Sequence, residues 1–248
     1  MDLGIAGKRA AVAAASRGLG FATAQALAQE GVHVAICGRD KAAIEDAAKQ
    51  IGHGAIGLSC DVSSPAGARA FVEQASEGLG QVDILIANCG GPPPGGAADA
   101  DTAVLEQAVR ANLIAMVEMT QAAVPGMRER GFGRVLAITS VSVREPLPFM
   151  VHSNTARAGL TGFLKTLARE VAADGVTVNS LLPGVHDTER VRELAGASVD
   201  ALVARTPTGR LGEAQDFGQI AAFLCSRWTA SLTGTTVVID GGSSAGLF

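Results

Sequence analysis

The sequence predicts an α/β fold, a single domain built on a doubly wound parallel sheet of about seven strands with helices on both faces. Three observations predict it. Seven short apolar runs alternate with longer segments of helical periodicity. The runs are nearly unbroken in Val, Ile, Leu and Ala, as expected of strands buried on both faces. The chain of 248 residues is 48% hydrophobic, enough for one sizeable core, and no linker or low-complexity stretch divides it.

Taken in order, strands fall at 9–14 (RAAVAA), 32–37 (VHVAIC), 55–60 (AIGLSC), 82–87 (VDILIA), 134–139 (RVLAIT), 176–182 (VTVNSLL) and 236–240 (TVVID). Helices fit 18–30, 41–51, 65–78, 102–129, 153–173 and 214–226. Asp40 suits the N-cap of the second helix, DKAAIEDAAKQ. Strand–helix alternation implies right-handed crossovers. Sheets of this kind bind ligands beyond the carboxyl ends of their strands, so functional residues are expected just after each strand.

Composition narrows the classes. A net charge of −4 argues against a nucleic-acid or anionic-membrane binder. The opening stretch MDLGIAGKRAAVAAA is too short and badly flanked for a signal peptide or a membrane span, so a cytoplasmic protein is expected. Cys37, Cys60, Cys89 and Cys225 form no CxxC pair. They read as buried reduced thiols, and no metal site is expected.

After the first strand comes AAASRGLGFATAQALAQEG, residues 13–31. Gly18 and Gly20 lie at the strand-to-helix turn, where glycine lets backbone N–H groups approach a pyrophosphate at a helix N-terminus. A glycine-rich turn without a ligand has the same pattern. Arg17 lies inside the loop, and Arg39 ends the second strand where an acidic residue would bind a ribose 2′-hydroxyl. Arginine there suits a 2′-phosphate, which favours NADP(H) over NAD(H) in a Rossmann-type site. Asp61, after the third strand, suits either an adenine edge or a cap. Ala14 fits the turn only if its φ is negative.

Together these segments resemble the short-chain dehydrogenase/reductase family, and within it the 3-oxoacyl-ACP reductase-like members. The likeness runs over essentially the whole chain. AAASRGLG looks like TGxxxGxG, with Ala13 and Ala14 where Thr and the first Gly usually stand. ANCG, 87–90, looks like NNAG. LLPGVHDTE, 181–189, looks like the PG motif, and the tail GRLGEAQDFGQIAAFLCSRWTASLTGTTVVIDGG matches the last helix, loop and strand. The resemblance implies cofactor contacts at Ser16, Arg17, Gly18, Leu19, Gly20, Arg39, Asp61, Val62, Asn88, Gly90, Arg157, Pro183, Gly184 and Val185.

It also implies a catalytic set of Asn, Ser, Tyr and Lys. Asn112 in VRANLIAM and Ser140 in AITSVSV match the first two. At the Tyr and Lys positions stand Ser153 and Arg157, in SNTAR, and the chain contains no tyrosine at all. Serine is a far weaker acid than tyrosine. Arg157 does not give up a proton, but it can stabilise an oxyanion and bind ribose hydroxyls. Spaced i, i+4, the two share a helix face.

Other donors are His186, after the PG motif and facing the substrate space or the surface, and His152. On a helix His152 points about 100° from Ser153 and is expected at the surface or a subunit contact. Cys89 is expected to pack under the nicotinamide. Pro92, Pro93 and Pro94 in GGPPPGG are expected to wall a substrate pocket with Ser142 and His186. Arg190, Arg192 and Arg205 are expected on solvated faces. The resemblance implies a homotetramer built through the apolar faces of the helices at 102–129, 153–173 and 214–226. Three functions stand open: an NADP(H)-dependent reductase of an activated carbonyl, a silent dinucleotide-binding sensor or scaffold, and a non-redox enzyme on the same fold.

Overall fold

The computed structural model describes residues 1–195 and 198–247. Strands and helices alternate as the periodicity demands. β1 (Arg9–Val12), β2 (His33–Gly38), β3 (Ile56–Ser59) and β4 (Ile84–Ala87) are separated by α1 (Gly18–Gln29), α2 (Lys41–Ile51) and α3 (Pro65–Leu79). Local chemistry sets the starts. Asp40 Oδ1 accepts from Ala43 N at 3.0 Å to cap α2, and Ser64 caps α3 with Pro65 in its first turn.

The second half holds α4 (Thr102–Val109), α5 (Ala115–Glu129), β5 (Gly133–Ile138), α6 (Val151–Val171) and β6 (Val176–Pro183). The two-residue strand β7 (His186–Asp187) pairs in parallel with β8 (Gly212–Glu213), and α7 (Glu189–Ala195) and α8 (Val199–Ala204) lie between them in the chain. Helix α9 (Ala214–Leu224) and β9 (Thr236–Ile239) complete the fold.

Seven strands form one parallel sheet in the order β3-β2-β1-β4-β5-β6-β9. Alternate side chains serve opposite faces. Ala11, Leu85 and Val135 join Phe71, Met116, Met119 and Leu160 on one side. Val12, Ile36 and Ile86 join Leu27, Ile44 and Phe217 on the other. Burial on both sides is why the strands are continuously apolar rather than alternating. Helices α1 and α9 touch backbone to backbone: a Cβ on Gly218 would stand 2.4 Å from Ala22 O. No helix among the described residues is long and apolar enough to cross a membrane.

Three departures from the expected elements matter for function. The helix expected over 102–129 is two helices joined by a single π-helical turn at Arg110–Ile114, which carries Asn112. Such wider turns occur disproportionately at functional sites. β1 stops at Val12 rather than 14, because Ala14 turns the chain at φ 48°. The segment 186–212 holds β7, α7, α8 and β8, elements too short to carry a periodic signal.

Candidate functional site

The strand order reverses between β1 and β4, which opens a crevice at their carboxyl ends. The loop after β1 supplies its floor. Gly18 takes φ 63°, and a Cβ on Gly20 would lie 2.7 Å from Ala14 O and 3.0 Å from Asn88 Nδ2. Only glycine fits there. Ala14 stands in the left-handed region at φ 48°, a conformation costing about 1–2 kcal/mol for a residue with a Cβ. Asn88 holds the turn in that state: its Nδ2 donates to Ala13 O and Ala14 O, both at 3.2 Å. Asn88, expected to touch the cofactor, also braces the turn. Helix α1 begins at Gly18 with no side-chain cap, so its first N–H groups are open to an anion. Ser16 and Leu19 flank the turn, half-buried.

Two other residues expected at the cofactor also make contacts within the fold. Asp61 Oδ1 accepts from Ser63 N at 3.0 Å, and that bond holds its carboxyl below the usual range. The bond closes a local turn ahead of Ser64, which itself caps α3. Val62 is buried in the core with Phe71, so its side chain is a packing residue. Arg39 is exposed at the end of β2. Arg17 is not free: its Nη1 donates to Glu189 Oε2 at 2.8 Å and Glu193 Oε1 at 3.0 Å.

The far wall comes from the loop after β4 and the start of α6. Gly95 N donates to Phe149 O at 2.7 Å, Val151 N to Gly95 O at 3.2 Å, and His152 Nδ1 pairs with Pro93 O at 2.9 Å. A carbonyl can only accept, so the ring proton sits on Nδ1. His152 was expected at the surface or a subunit contact and is 3% exposed within the single chain instead. The reason lies in its partner: a Cβ on Gly95 would stand 2.5 Å from His152 Cε1, so the glycine makes room for the ring. The ring thereby clasps the proline loop, Pro92 buried and Pro93 and Pro94 exposed, against α6.

The expected catalytic residues converge on the same end of the sheet. Helix α6 packs on both the π-helical turn and the short 3₁₀ turn Val141–Val143. Ser140 caps that 3₁₀ turn, accepting from Ser142 N at 3.1 Å. Ser142 Oγ is buried without a hydrogen-bond partner among the described residues. Cys89 Sγ donates to Asn112 Oδ1 at 3.0 Å. Burial pushes its thiol up, so it is a neutral donor that orients the amide rather than only packing. Ser153 is buried, and its hydroxyl makes no hydrogen bond among the described residues.

Arg157 is the odd group. It is 6% exposed, and its Nη1 donates to Ile138 O and Thr139 O, both at 2.9 Å. β6 ends at Pro183, which has no N–H to offer the ladder, and the guanidinium serves these β5 carbonyls. Among the described residues it has no carboxylate partner. Burial lowers its proton affinity, and Cys89 opposes that shift.

Around the PG motif, Pro183, Gly184 and Val185 are half-buried, and a Cβ on Gly184 would collide with Asp240 at 2.6 Å. His186 is 3% exposed and so is not a surface histidine. Its ring meets Phe217 edge-on at 5.2 Å, on the α1/α9 side of the sheet. Burial lowers its pKa from 6.5. The unfolded chain therefore binds the proton more readily, and the stability His186 contributes is present above about pH 6.5 and lost as pH falls below it. His186→Leu is expected to flatten the fall of melting temperature between about pH 7 and 5, checked by thermal unfolding across that range. Arg190 and Arg192 are exposed, as expected, and each also has a partner: Arg190 Nη2 donates to Gly91 O at 3.0 Å, and Arg192 grips Asp187 at 2.6 and 2.7 Å. Arg205 is exposed, and Gly90 is open at the mouth. No group of three or more His, Cys, Asp or Glu side chains could hold a metal among the described residues.

Sequence reasoning missed Thr188, whose Cγ2 lies 3.7 Å from the Cβ position of Gly18, and the two glutamates that follow it. Residues 186–212 were expected to cover the substrate, which gave no sign that residues 188–193 reach the phosphate loop.

A parallel doubly wound sheet with a glycine cradle under an uncapped helix, at the switch point, defines a Rossmann-type protein. A family model described as enoyl-(acyl carrier protein) reductase matches residues 13–244. The chain belongs to the short-chain dehydrogenase/reductase family. It is 33% identical over 236 residues to the 3-oxoacyl-[acyl-carrier-protein] reductase FabG of Escherichia coli, covering 95% of this chain and 97% of that one. It is similar in structure to L-sorbose reductase from Gluconobacter frateurii complexed with NADPH and L-sorbose, with TM-score 0.94, 29% identity and full coverage of both chains. A 7α-hydroxysteroid dehydrogenase complexed with NADH and 7-oxo glycochenodeoxycholic acid matches at TM-score 0.92 and 27% identity, over 100% of this chain and 98% of that one.

Proposed function

We propose that this chain is an NADP(H)-dependent oxidoreductase that reduces an activated carbonyl, 3-oxoacyl or quinone-like, through an altered Asn112–Ser140–Ser153–Arg157 site. The observation that carries the reading is Arg157: a buried cation with no carboxylate beside it, kept at the carboxyl end of β5. Such a charge is costly unless negative charge develops next to it. An oxyanion forming at Ser140 and Ser153 is that charge. When bound, NADPH would supply the hydride. The glycine cradle and the open N-terminus of α1 fit its pyrophosphate, and Arg39 with Arg17 fit the 2′-phosphate. Gly90, Pro183, Gly184 and Val185 would border its nicotinamide.

The residues here hold and polarise the carbonyl rather than donate a proton to it. No tyrosine exists in the chain, His186 faces the other side of the sheet, and His152 commits its proton to Pro93. Protonation then comes from water, which suits substrates that need little acid help. The protein is proposed to assemble as a homotetramer. Ile114 on the π-helical turn and Phe223 on α9, 42% and 41% exposed, give it apolar contact points on two faces.

NADPH is expected to bind in the micromolar range and NADH much more weakly in calorimetric titration. With NADPH, reduction of an activated ketone or quinone is expected to exceed that of a Ser140→Ala variant by about 10². Binding without turnover would leave the dinucleotide-binding sensor as the function.

A further inference from the structure

We propose that Glu189 and Glu193 set the cofactor preference of this site, by occupying Arg17 in place of a 2′-phosphate and so tying α7 to the phosphate loop. The inference rests on the proposed NADP(H) reading and deepens it.

Arg17 stands at the N-cap of α1, extended at φ −161° and ψ 175°, and gives α1 no side-chain cap. Its guanidinium instead crosses to the segment after β6. Nη1 donates to both Glu189 at 2.8 Å and Glu193 at 3.0 Å. The glutamates lie four apart and so share one face of α7. Two carboxylates on one arginine present about two negative charges, close to the charge of a phosphate monoester at neutral pH.

The arrangement is a bridge rather than a chance surface pair. Thr188 packs toward Gly18, and Arg190 donates to Gly91 O at 3.0 Å. Residues 188–193 therefore touch both the phosphate loop and the loop after β4. All three partners are more than half exposed, at 55%, 67% and 59%, so the pairs are weak and easily exchanged. A 2′-phosphate that takes Arg17 must displace them and meets their repulsion. A dinucleotide without that phosphate leaves the bridge intact.

The test is the pair of dissociation constants for NADPH and NADH, measured by calorimetry on the full chain. For the double variant Glu189→Gln/Glu193→Gln, the NADPH constant is expected to fall about three- to tenfold while the NADH constant stays within twofold. Arg17→Ala should weaken NADPH alone and abolish the effect of the glutamine pair. If wild type prefers NADPH and Arg17→Ala removes that preference, but the glutamine pair leaves the ratio unchanged or lowers it, the role of the glutamates is overturned and the cofactor reading survives. If wild type binds both dinucleotides alike and Arg17→Ala changes neither, both fall together. A thermal scan of each variant shows that these exposed changes leave the fold intact.

Discussion

Phe217→Ala is expected to lower the melting temperature by about 10 °C. Phe217 is fully buried, one of the largest such side chains, and sits where α9 meets the sheet. Truncating a buried phenylalanine costs about 3–5 kcal/mol, from lost transfer energy and the cavity left behind. In a domain of this size each kcal/mol is worth about 2–4 °C. The site should feel the change too. His186 rests edge-on against this ring, and its backbone belongs to the segment running from Pro183 to Thr188. Losing the ring loosens that segment, so dinucleotide affinity should fall along with stability. Phe217→Leu, which keeps most of the volume, should cost less than about 1.5 kcal/mol and spare the affinity. Thermal unfolding and titration on both variants check the prediction. A Phe217→Ala protein that melts within about two degrees of the parent would contradict it.

The strands were legible because burial on both faces leaves few choices of residue. VDILIA and VTVNSLL had no other plausible use. The glycine turn was legible because its backbone geometry tolerates almost nothing else, as the 2.7 Å approach at Gly20 shows. The state of Ala14 was not legible for a related reason. A single-residue rule disfavours a positive φ, but the two bonds from Asn88, distant in sequence, hold it there. His152 misled. Helical phase set its direction correctly relative to Ser153, yet what lies in that direction is Gly95, brought there by the proline loop. The π-helical turn at Asn112 has no periodic signature, since one extra residue in a turn barely shifts the apolar pattern over 102–129. The bridge from Arg17 to Glu189 and Glu193 was unreadable, because 172 and 176 residues separate the partners. Local residue types could identify what each group is capable of, and only the topology decides which group it meets.

Arg157→Met is expected to leave the melting temperature unchanged or higher, and to reduce the proposed reductase rate by at least about 10². Both effects come from the same geometry. A buried guanidinium facing only carbonyls keeps a desolvation penalty that no carboxylate offsets, an effective cost of several kcal/mol. Its two bonds to Ile138 O and Thr139 O return part of this, since leaving a buried carbonyl unpaired costs about 1–3 kcal/mol. Methionine matches the length of the arginine stem and fills the space with no charge. Relief of the buried charge outweighs the loss of those two bonds, so the fold should not suffer. Activity should, because the same cation is what an oxyanion at Ser140 and Ser153 would meet. A residue that weakens the fold while it serves the site is the usual sign of function overriding stability. Thermal unfolding and NADPH-dependent reduction on one preparation separate the cases. A large drop in melting temperature with proportionate loss of rate would make Arg157 a structural tie for the end of β5. A stable protein with an unchanged rate would remove it from the chemistry altogether.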